Sequence, residues 1–307
     1  MRLALLFPGQ GTHTPGFLGR LPPHPAVQAT LEEAARVLGA EARKLDSAAA
    51  LASTGAVQLT TVIAGVALAR ALAAEGQEAD AVAGLSVGAF AAAVACGALS
   101  FPDALMLVKL RGEAMAQAVP GGHGMTAILG LSERDARALV ARVSVRAPLY
   151  LASLNGPSEV VVSGPDAALE LAAAEAHAAG AAARRLRLTT PSHCPLMEAV
   201  SGRLRTAMQG ITMRAPRAVY VSNTRARVAR EAHEVAEDLI ENVSHTVRWH
   251  DSVTLLFELG CRFFIETPPG AVLSNLVKDS FPEARAVALE EVPLASAAVL
   301  ARVRESG

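Results

Sequence analysis

The sequence predicts an α/β fold, a large domain built on a parallel sheet with a smaller unit inserted into it. Three observations predict it. Short apolar runs that read as strands alternate with longer helical patterns at both ends of the chain, which is how a parallel sheet is written in sequence. Between about 120 and 188 the order becomes β-α-β-β-α-β, the split unit of ferredoxin-like folds. Hydrophobic residues make up 51% of the 307 while aromatics are only 4%, so helices and strands must pack through alanine and other small side chains. The large domain is expected over 1–120 and 189–307, and the insert over 121–188.

Arg2 to Phe7 reads as a buried strand stopped by Pro8-Gly9-Gln10-Gly11, a loop able to bring backbone amides close to a ligand. Helices are expected at 26–38 and 56–75, the latter closed by Gly76. A short strand at 81–84 leads into a helix of small residues from Ser86 to Cys96, and Ser100 with Pro102 starts another through Gln117. In the insert, strands are expected at 124–130, 148–154, 159–163 and 182–188, with helices from Ser132 and Pro165. The alternation then resumes: a helix to Gln209, a strand near 218–222, helices near 232–241 and 250–259, a strand at 262–266, a helix to Ser280 and a last strand at 285–289.

Composition narrows the function. The formal net charge of −1 gives no electrostatic case for nucleic acid. The basic run Arg184-Arg185-Leu186-Arg187 reads as a solvated strand face. Three cysteines, Cys96, Cys194 and Cys261, are too few and too scattered for a disulfide framework or a zinc site, and fit a reducing compartment. The apolar run before Pro8 is too short for a signal peptide, and Thr60, Thr61 and Arg70 interrupt the stretch at 59–74. A cytoplasmic protein with no membrane partner is expected.

Chemistry is concentrated at Gly84-Leu85-Ser86-Val87-Gly88. In a nucleophile elbow the Ser occupies a strained turn between strand and helix, as in hydrolase-like α/β domains, and two glycines clear the crossing. The Val87 amide, at the helix N-terminus, would then lie beside a developing oxyanion. The alternative is an ordinary helix-capping Ser. Of the eight histidines, His193 is the preferred base, because Pro191 and Pro195 hold it in a short rigid loop. His177 and His233 fall on helices and read as solvated. Arg111 lies on a helix apolar nearly all round (Met106, Leu107, Val108, Leu110, Met115), which leaves a structural ion pair, a snorkelling side chain, or a clamp for a substrate carboxylate.

Five motifs, F-P-G-Q-G at 7–11, G-L-S-V-G at 84–88, K-L-R-G-E-A-M-A-Q-A-V-P-G-G-H-G-M at 109–125, P-S-H-C-P-L-M at 191–197 and V-R-W at 247–249, stand in one order along nearly the whole chain. In these the sequence resembles the malonyl-CoA:acyl carrier protein transacylase family. The resemblance implies that Ser86 carries the malonyl group, that His193 is its base and that Arg111 pairs with the malonyl carboxylate. It further implies an oxyanion hole from the Gln10 and Val87 amides, and a main-chain carbonyl, here that of Asn242, orienting His193. No bound cofactor is implied. The substrate would be malonyl-CoA, a coenzyme A thioester, and the partner an acyl carrier protein. Leu85 and Ala89 depart from the commoner Gly-His-Ser-x-Gly-Glu, and E-T-P-P-G at 266–270 from Glu-x-Gly-Pro-Gly. With L-D-S-A-A-A-L at 45–51 and A-V-Q-L at 56–59, these departures look most like the epsilon-subunit branch of malonate decarboxylase, whose acceptor is that complex's carrier subunit. Leu85 replaces a polar group beside the acyl pocket. Two other readings compete: a serine thioesterase, which would need an acid to orient the base, and a catalytically silent scaffold that only docks a carrier.

Overall fold

A computed structural model of the chain describes residues 2–11, 13–119 and 121–303. Met1, Pro120 and residues 304–307, at the limits expected for the large domain, lie outside the described residues. The chain runs β1 (Arg2–Phe7), α1 (Pro25–Leu38), α2 (Thr54–Ala74), β2 (Ala81–Gly84), α3 (Gly88–Ala95), α4 (Phe101–Ala118), β3 (His123–Leu129) and α5 (Glu133–Ser144). It continues with β4 (Tyr150–Gly156), β5 (Glu159–Pro165), α6 (Asp166–Ala178), β6 (Ala182–Arg185), α7 (Glu198–Met208), β7 (Val219–Val221) and β8 (Val228–Ala229). The last elements are α8 (Ala232–Glu241), α9 (Trp249–Glu258), β9 (Cys261–Glu266), α10 (Val272–Ser280), β10 (Arg285–Ala288) and α11 (Leu294–Val303).

Two sheets organise these elements. The larger has the order β10-β9-β1-β2-β7-β8 and is parallel except for the β7–β8 pair. Its central strand β1 is buried on both faces, and the strand alternation assigns its residues to different cores. Leu3, Leu5 and Phe7 pack with α2, α3 and α4, whereas Ala4 and Leu6 pack with Trp249, Val253, Leu273 and Val277 of α9 and α10. The smaller sheet has the order β4-β5-β3-β6, all antiparallel, with α5 and α6 on one face, the ferredoxin-like arrangement read from the sequence. The two sheets are stitched together outside the chain crossovers. Val247 pairs with β4 through Val247 N–H to Ala152 O (2.9 Å) and Leu154 N–H to Val247 O (2.8 Å).

Helix starts follow their local sequence. Ser53, Ser100 and Ser132 accept hydrogen bonds from backbone amides of the first turns of α2, α4 and α5. Glu231 and Glu234 form a reciprocal capping box at α8. Helix α2 is long and apolar enough to cross a membrane by length and composition, yet it packs against α1, α3 and α4 with most of its surface inside the fold.

Four expectations are corrected. The helix after β2 begins at Gly88, not Ser86, because Ser86 has a positive φ of 55° and cannot be its first turn. The strand from 182 stops at Arg185, beyond which a single ladder bond, Leu186 N–H to Met125 O (2.9 Å), continues beside β3. Met106 is 53% exposed, so α4 has one open side. Strand β8 and helix α11, neither expected, close the sheet edge and the chain; α11 is an Ala-rich run without a capping signal.

Candidate active site

The site forms where β1 and β2 end. The crossing at the elbow leaves no room for side chains. A Cβ on Gly88 would sit 2.1 Å from Phe7 O, and one on Gly84 would sit 2.2 Å from the Gly88 carbonyl carbon. Between them Ser86 takes the left-handed conformation, which is costly for a residue with a Cβ and gathers at functional sites. The loop after β1 lies alongside, so that a Cβ on Gly9 would be 3.2 Å from Leu85 O. Among the described residues, neither the Gln10 nor the Val87 backbone N–H is engaged by a protein acceptor. Leu85 is half-buried and packs with the cluster containing Val247 and Trp249.

Arg111 comes up from α4 and is 1% exposed. Its Nη1 donates to Gln58 Oε1 (2.5 Å), and its Nη2 donates to Ser86 Oγ (3.1 Å) and Asn242 Oδ1 (3.4 Å). Among the described residues no carboxylate lies within ion-pair reach, so the guanidinium is neither a structural ion pair nor a snorkelling side chain. Burial alone pushes its pKa down to about 9, which leaves it charged at neutral pH. Two buried donors at this point have no hydrogen-bond partner among the described residues, Arg111 Nε and Asn242 Nδ2. A buried cation surrounded by neutral amides and unpaired N–H groups is suited to an anion brought from outside.

His193 also has a positive φ (61°) and is 6% exposed. Its backbone N–H donates to Val243 O (2.7 Å) and its Nδ1 bonds the Asn242 main-chain carbonyl. A carbonyl can only accept, so Nδ1 carries the proton and Nε2 presents a lone pair. Burial, and then the nearby Arg111 charge, hold the ring at a pKa of about 3, so it is neutral at physiological pH. The ring is thus held by a main-chain carbonyl and not by an acid; Glu198, the nearest acid downstream of His193, is exposed at the start of α7. Ser86 Oγ and His193 share Arg111 as a neighbour but make no hydrogen bond to each other; the Arg111 donation leaves the Ser86 hydroxyl hydrogen free for another acceptor.

The remaining candidates behave as bystanders. His177 and His233 are exposed, as are Arg184, Arg185 and Arg187. Cys194 is buried with its thiol pKa raised by burial, so it offers no thiolate beside His193. Among the described residues, no group of three or more His, Cys, Asp or Glu could hold a metal ion.

Residues 5–303 match the family model described as acyl transferase domain. A malonyl CoA-acyl carrier protein transacylase of Escherichia coli is 34% identical over 306 residues, covering 97% of this chain and 99% of the relative. The chain belongs to the malonyl CoA-acyl carrier protein transacylase family. Among solved structures, an acyl-carrier-protein S-malonyltransferase from Burkholderia pseudomallei superposes with a TM-score of 0.92 at 33% identity, covering 98% of this chain and 100% of that one. A malonyl-transacylase solved with its type II polyketide acyl-carrier protein gives 0.92 at 30% identity, covering 99% and 100%. The α/β fold with a ferredoxin-like unit is therefore the family fold, and this chain is an acyltransferase.

Three buried side chains at the site escaped the sequence reading. Gln58 stood in the A-V-Q-L stretch at 56–59 but was given no role there; its signal was a lone amide in an apolar helix. Asn223 donates nothing to a motif; it follows β7 and accepts from Ser86 N–H (2.9 Å). Asp238 sits on the inner face of α8 with Val235 and Leu239, and an acid at an apolar helix position was the available signal.

Proposed function

We propose that this acyltransferase moves a malonyl group from malonyl-CoA, through an ester on Ser86, to the prosthetic-group thiol of an acyl carrier protein. The observation that carries the reading is Arg111, a buried cation that has no carboxylate partner among the described residues and is hydrogen-bonded to Ser86 Oγ. A malonyl thioester presents one free carboxylate about a bond or two beyond the carbonyl that Ser86 would attack. Its arrival gives the guanidinium an anionic partner and draws Nη2 from Oγ.

In this reading His193 Nε2 takes the Ser86 proton as Oγ bonds the thioester carbon, and the oxyanion rests on the Gln10 and Val87 amides. Collapse breaks the C–S bond, and His193 returns the proton to the coenzyme A sulfur. The carrier thiol then gives its proton to His193, attacks the ester, and Ser86 Oγ leaves with that proton. No metal or cofactor is required by these steps. Residues 1–120 with 189–307 supply the nucleophile, clamp and base, and 121–188 forms the inserted domain. The compartment in this reading is the cytoplasm.

For the acceptor, Leu85, Ala89 and E-T-P-P-G at 266–270 favour the carrier subunit of malonate decarboxylase. The sequence relatives, which are named for transfer to acyl carrier protein, favour the general acyl carrier protein as a second reading. Loading is tested by mass spectrometry after mixing with malonyl-CoA. A malonyl ester on Ser86, absent in Ser86→Ala, is expected; no ester would sink the reading and favour a silent scaffold. Rates of discharge to the two carriers and to water then rank the acceptors, and water as the preferred acceptor would make the protein a thioesterase.

A further inference from the structure

The strained elbow does not stand alone. Ser86 N–H donates to Asn223 Oδ1 (2.9 Å), and Asn223 is itself fixed at every other polar atom. Its N–H donates to Asp238 Oδ1 (2.7 Å), its Nδ2 donates to Asp238 Oδ2 (3.3 Å), and its carbonyl accepts from Arg248 N–H (2.8 Å). A carboxylate accepts only, so the Asn223 amide must turn Nδ2 toward Asp238 and Oδ1 toward Ser86; the opposite amide orientation would face donor with donor. Asp238 is in turn held by Tyr220 Oη (2.7 Å) and Thr224 N–H (3.3 Å), and both Asn223 and Asp238 are 3% exposed. Among the described residues no cation pairs with Asp238. Its ionised form is satisfied by neutral donors alone.

The same helix turn reaches the base. Asn242 N–H donates to Asp238 O (3.0 Å), one turn along α8, and the Asn242 carbonyl holds His193 Nδ1. The end of α8 thus mounts both reacting side chains, the base directly and the nucleophile through Asn223.

We propose that Asn223 and Asp238 are positioning residues for the acyl-transfer step. Asp238 sets the orientation of the Asn223 amide, and Asn223 anchors the Ser86 backbone in the left-handed turn that aims Oγ at the acyl carbon and keeps it in register with His193. Neither residue touches substrate. The inference rests on Ser86 being the nucleophile, and goes beyond the reading above in naming what holds it.

The test is pre-steady-state acylation of Ser86 by malonyl-CoA in wild type, Asn223→Ala, Asp238→Asn and the double variant, with thermal unfolding measured alongside. Misplacing a reacting group by about 1 Å costs ~10²-fold in rate. A fall of about that size in the acylation rate constant is expected for Asn223→Ala, with the malonyl-CoA concentration for half-saturation within about twofold, because Arg111 is untouched. The double variant should be no slower than Asn223→Ala, since both changes act through one hydrogen bond. A folded Asn223→Ala enzyme acylating at the wild-type rate, or effects of the two changes that multiply, would overturn the proposal. If the Ala variant does not fold, Tyr220→Phe removes one donor from Asp238 and keeps the ring. It should slow acylation severalfold without changing half-saturation, and an unchanged rate would count against the proposal. Inactivation by a small serine-directed sulfonyl fluoride is measured in parallel. That probe reports on the elbow whatever acyl group the enzyme uses, so a wild type that reacts with it but is not loaded by malonyl-CoA refutes the substrate reading and leaves the positioning result standing on its own.

Discussion

Arg111→Ala separates the substrate reading from its rivals most sharply. In the structure the guanidinium is 1% exposed, has only neutral partners among the described residues, and is held by burial at about 9, below the ordinary guanidinium range. The charged form therefore carries a desolvation penalty until an anion arrives. A carboxylate bound there regains part of it, and truncating one partner of such a buried, hydrogen-bonded charge pair costs ~2–5 kcal/mol. The second-order rate constant for transfer from malonyl-CoA should therefore fall ~10²- to 10³-fold. Acetyl-CoA, which has no second carboxylate, is the internal control, since it meets the same Ser86 and the same lost hydrogen bond to Oγ. Its rate constant should change by less than about fivefold, so the preference for malonyl collapses by roughly the whole charge-pair energy. The assay is kcat/KM for both thioesters with one carrier protein. An equal fall for the two would place Arg111's role at Ser86 and not at the carboxylate, and an unchanged malonyl preference would refute the clamp outright.

Further tests probe the neighbours. Gln58→Glu supplies Arg111 with a resident carboxylate at the position of Gln58 Oε1, so KM for malonyl-CoA should rise at least ~10-fold while the protein gains thermal stability; unchanged KM would show that the clamp lies elsewhere. Gly88→Ala would force a Cβ to within 2.1 Å of Phe7 O, and should cost more than ~3 kcal/mol in denaturant unfolding or prevent soluble folding; a variant within about 1 kcal/mol of wild type contradicts the crossing. His193 is held at about 3 against an ordinary 6.5, so the unfolded chain binds the extra proton first as pH falls. Its contribution to stability is complete above about pH 6.5 and is lost progressively toward pH 3, amounting to about 3 kcal/mol by pH 4. The Tm advantage of wild type over His193→Gln should shrink over that range, and a constant difference would show that the ring is not buried neutral.

Most of the fold was legible because its signals are local. The apolar strand stopped by Pro8, the helix closed by Gly76, serine caps, and the switch to β-α-β-β-α-β after 120 each follow from a few neighbouring residues. The site was legible where backbone geometry demands a residue type, at Gly84 and Gly88, and where chemistry is conspicuous, at Ser86, His193 and Arg111. What stayed hidden depends on distant pairing. Gln58, Asn223 and Asp238 are ordinary polar residues in sequence, and acquire a role only because α2, the loop after β7 and α8 converge on one elbow. The early start given to α3 has the same cause. Composition favours a helix through Ser86, and the tertiary crossing, held by Asn223, overrides it.

How the base is held bears on the proposed preference for a thiol over water. In the mechanism proposed above, His193 leans on a neutral carbonyl, not a carboxylate, so nothing anionic stabilises its protonated form and Arg111 opposes it. A malonyl carboxylate on Arg111 cancels that opposition in both half-reactions, yet leaves a base weaker than one backed by an acid. A thiol, with a pKa of about 8.5, gives its proton to such a base readily, whereas a hydroxyl does so only when held in place beside the base and the oxyanion hole, as Ser86 is in this mechanism and free water is not. In this reading a carrier thiol discharges the Ser86 ester faster than free water does. Loaded enzyme should then be discharged by small thiols in order of their acidity, with alcohols of the same shape lagging by several powers of ten, and quenched-flow release of the malonyl group measures both series. Discharge by an alcohol as fast as by its thiol analogue would mean that something other than the weakness of His193 keeps the acyl group from water.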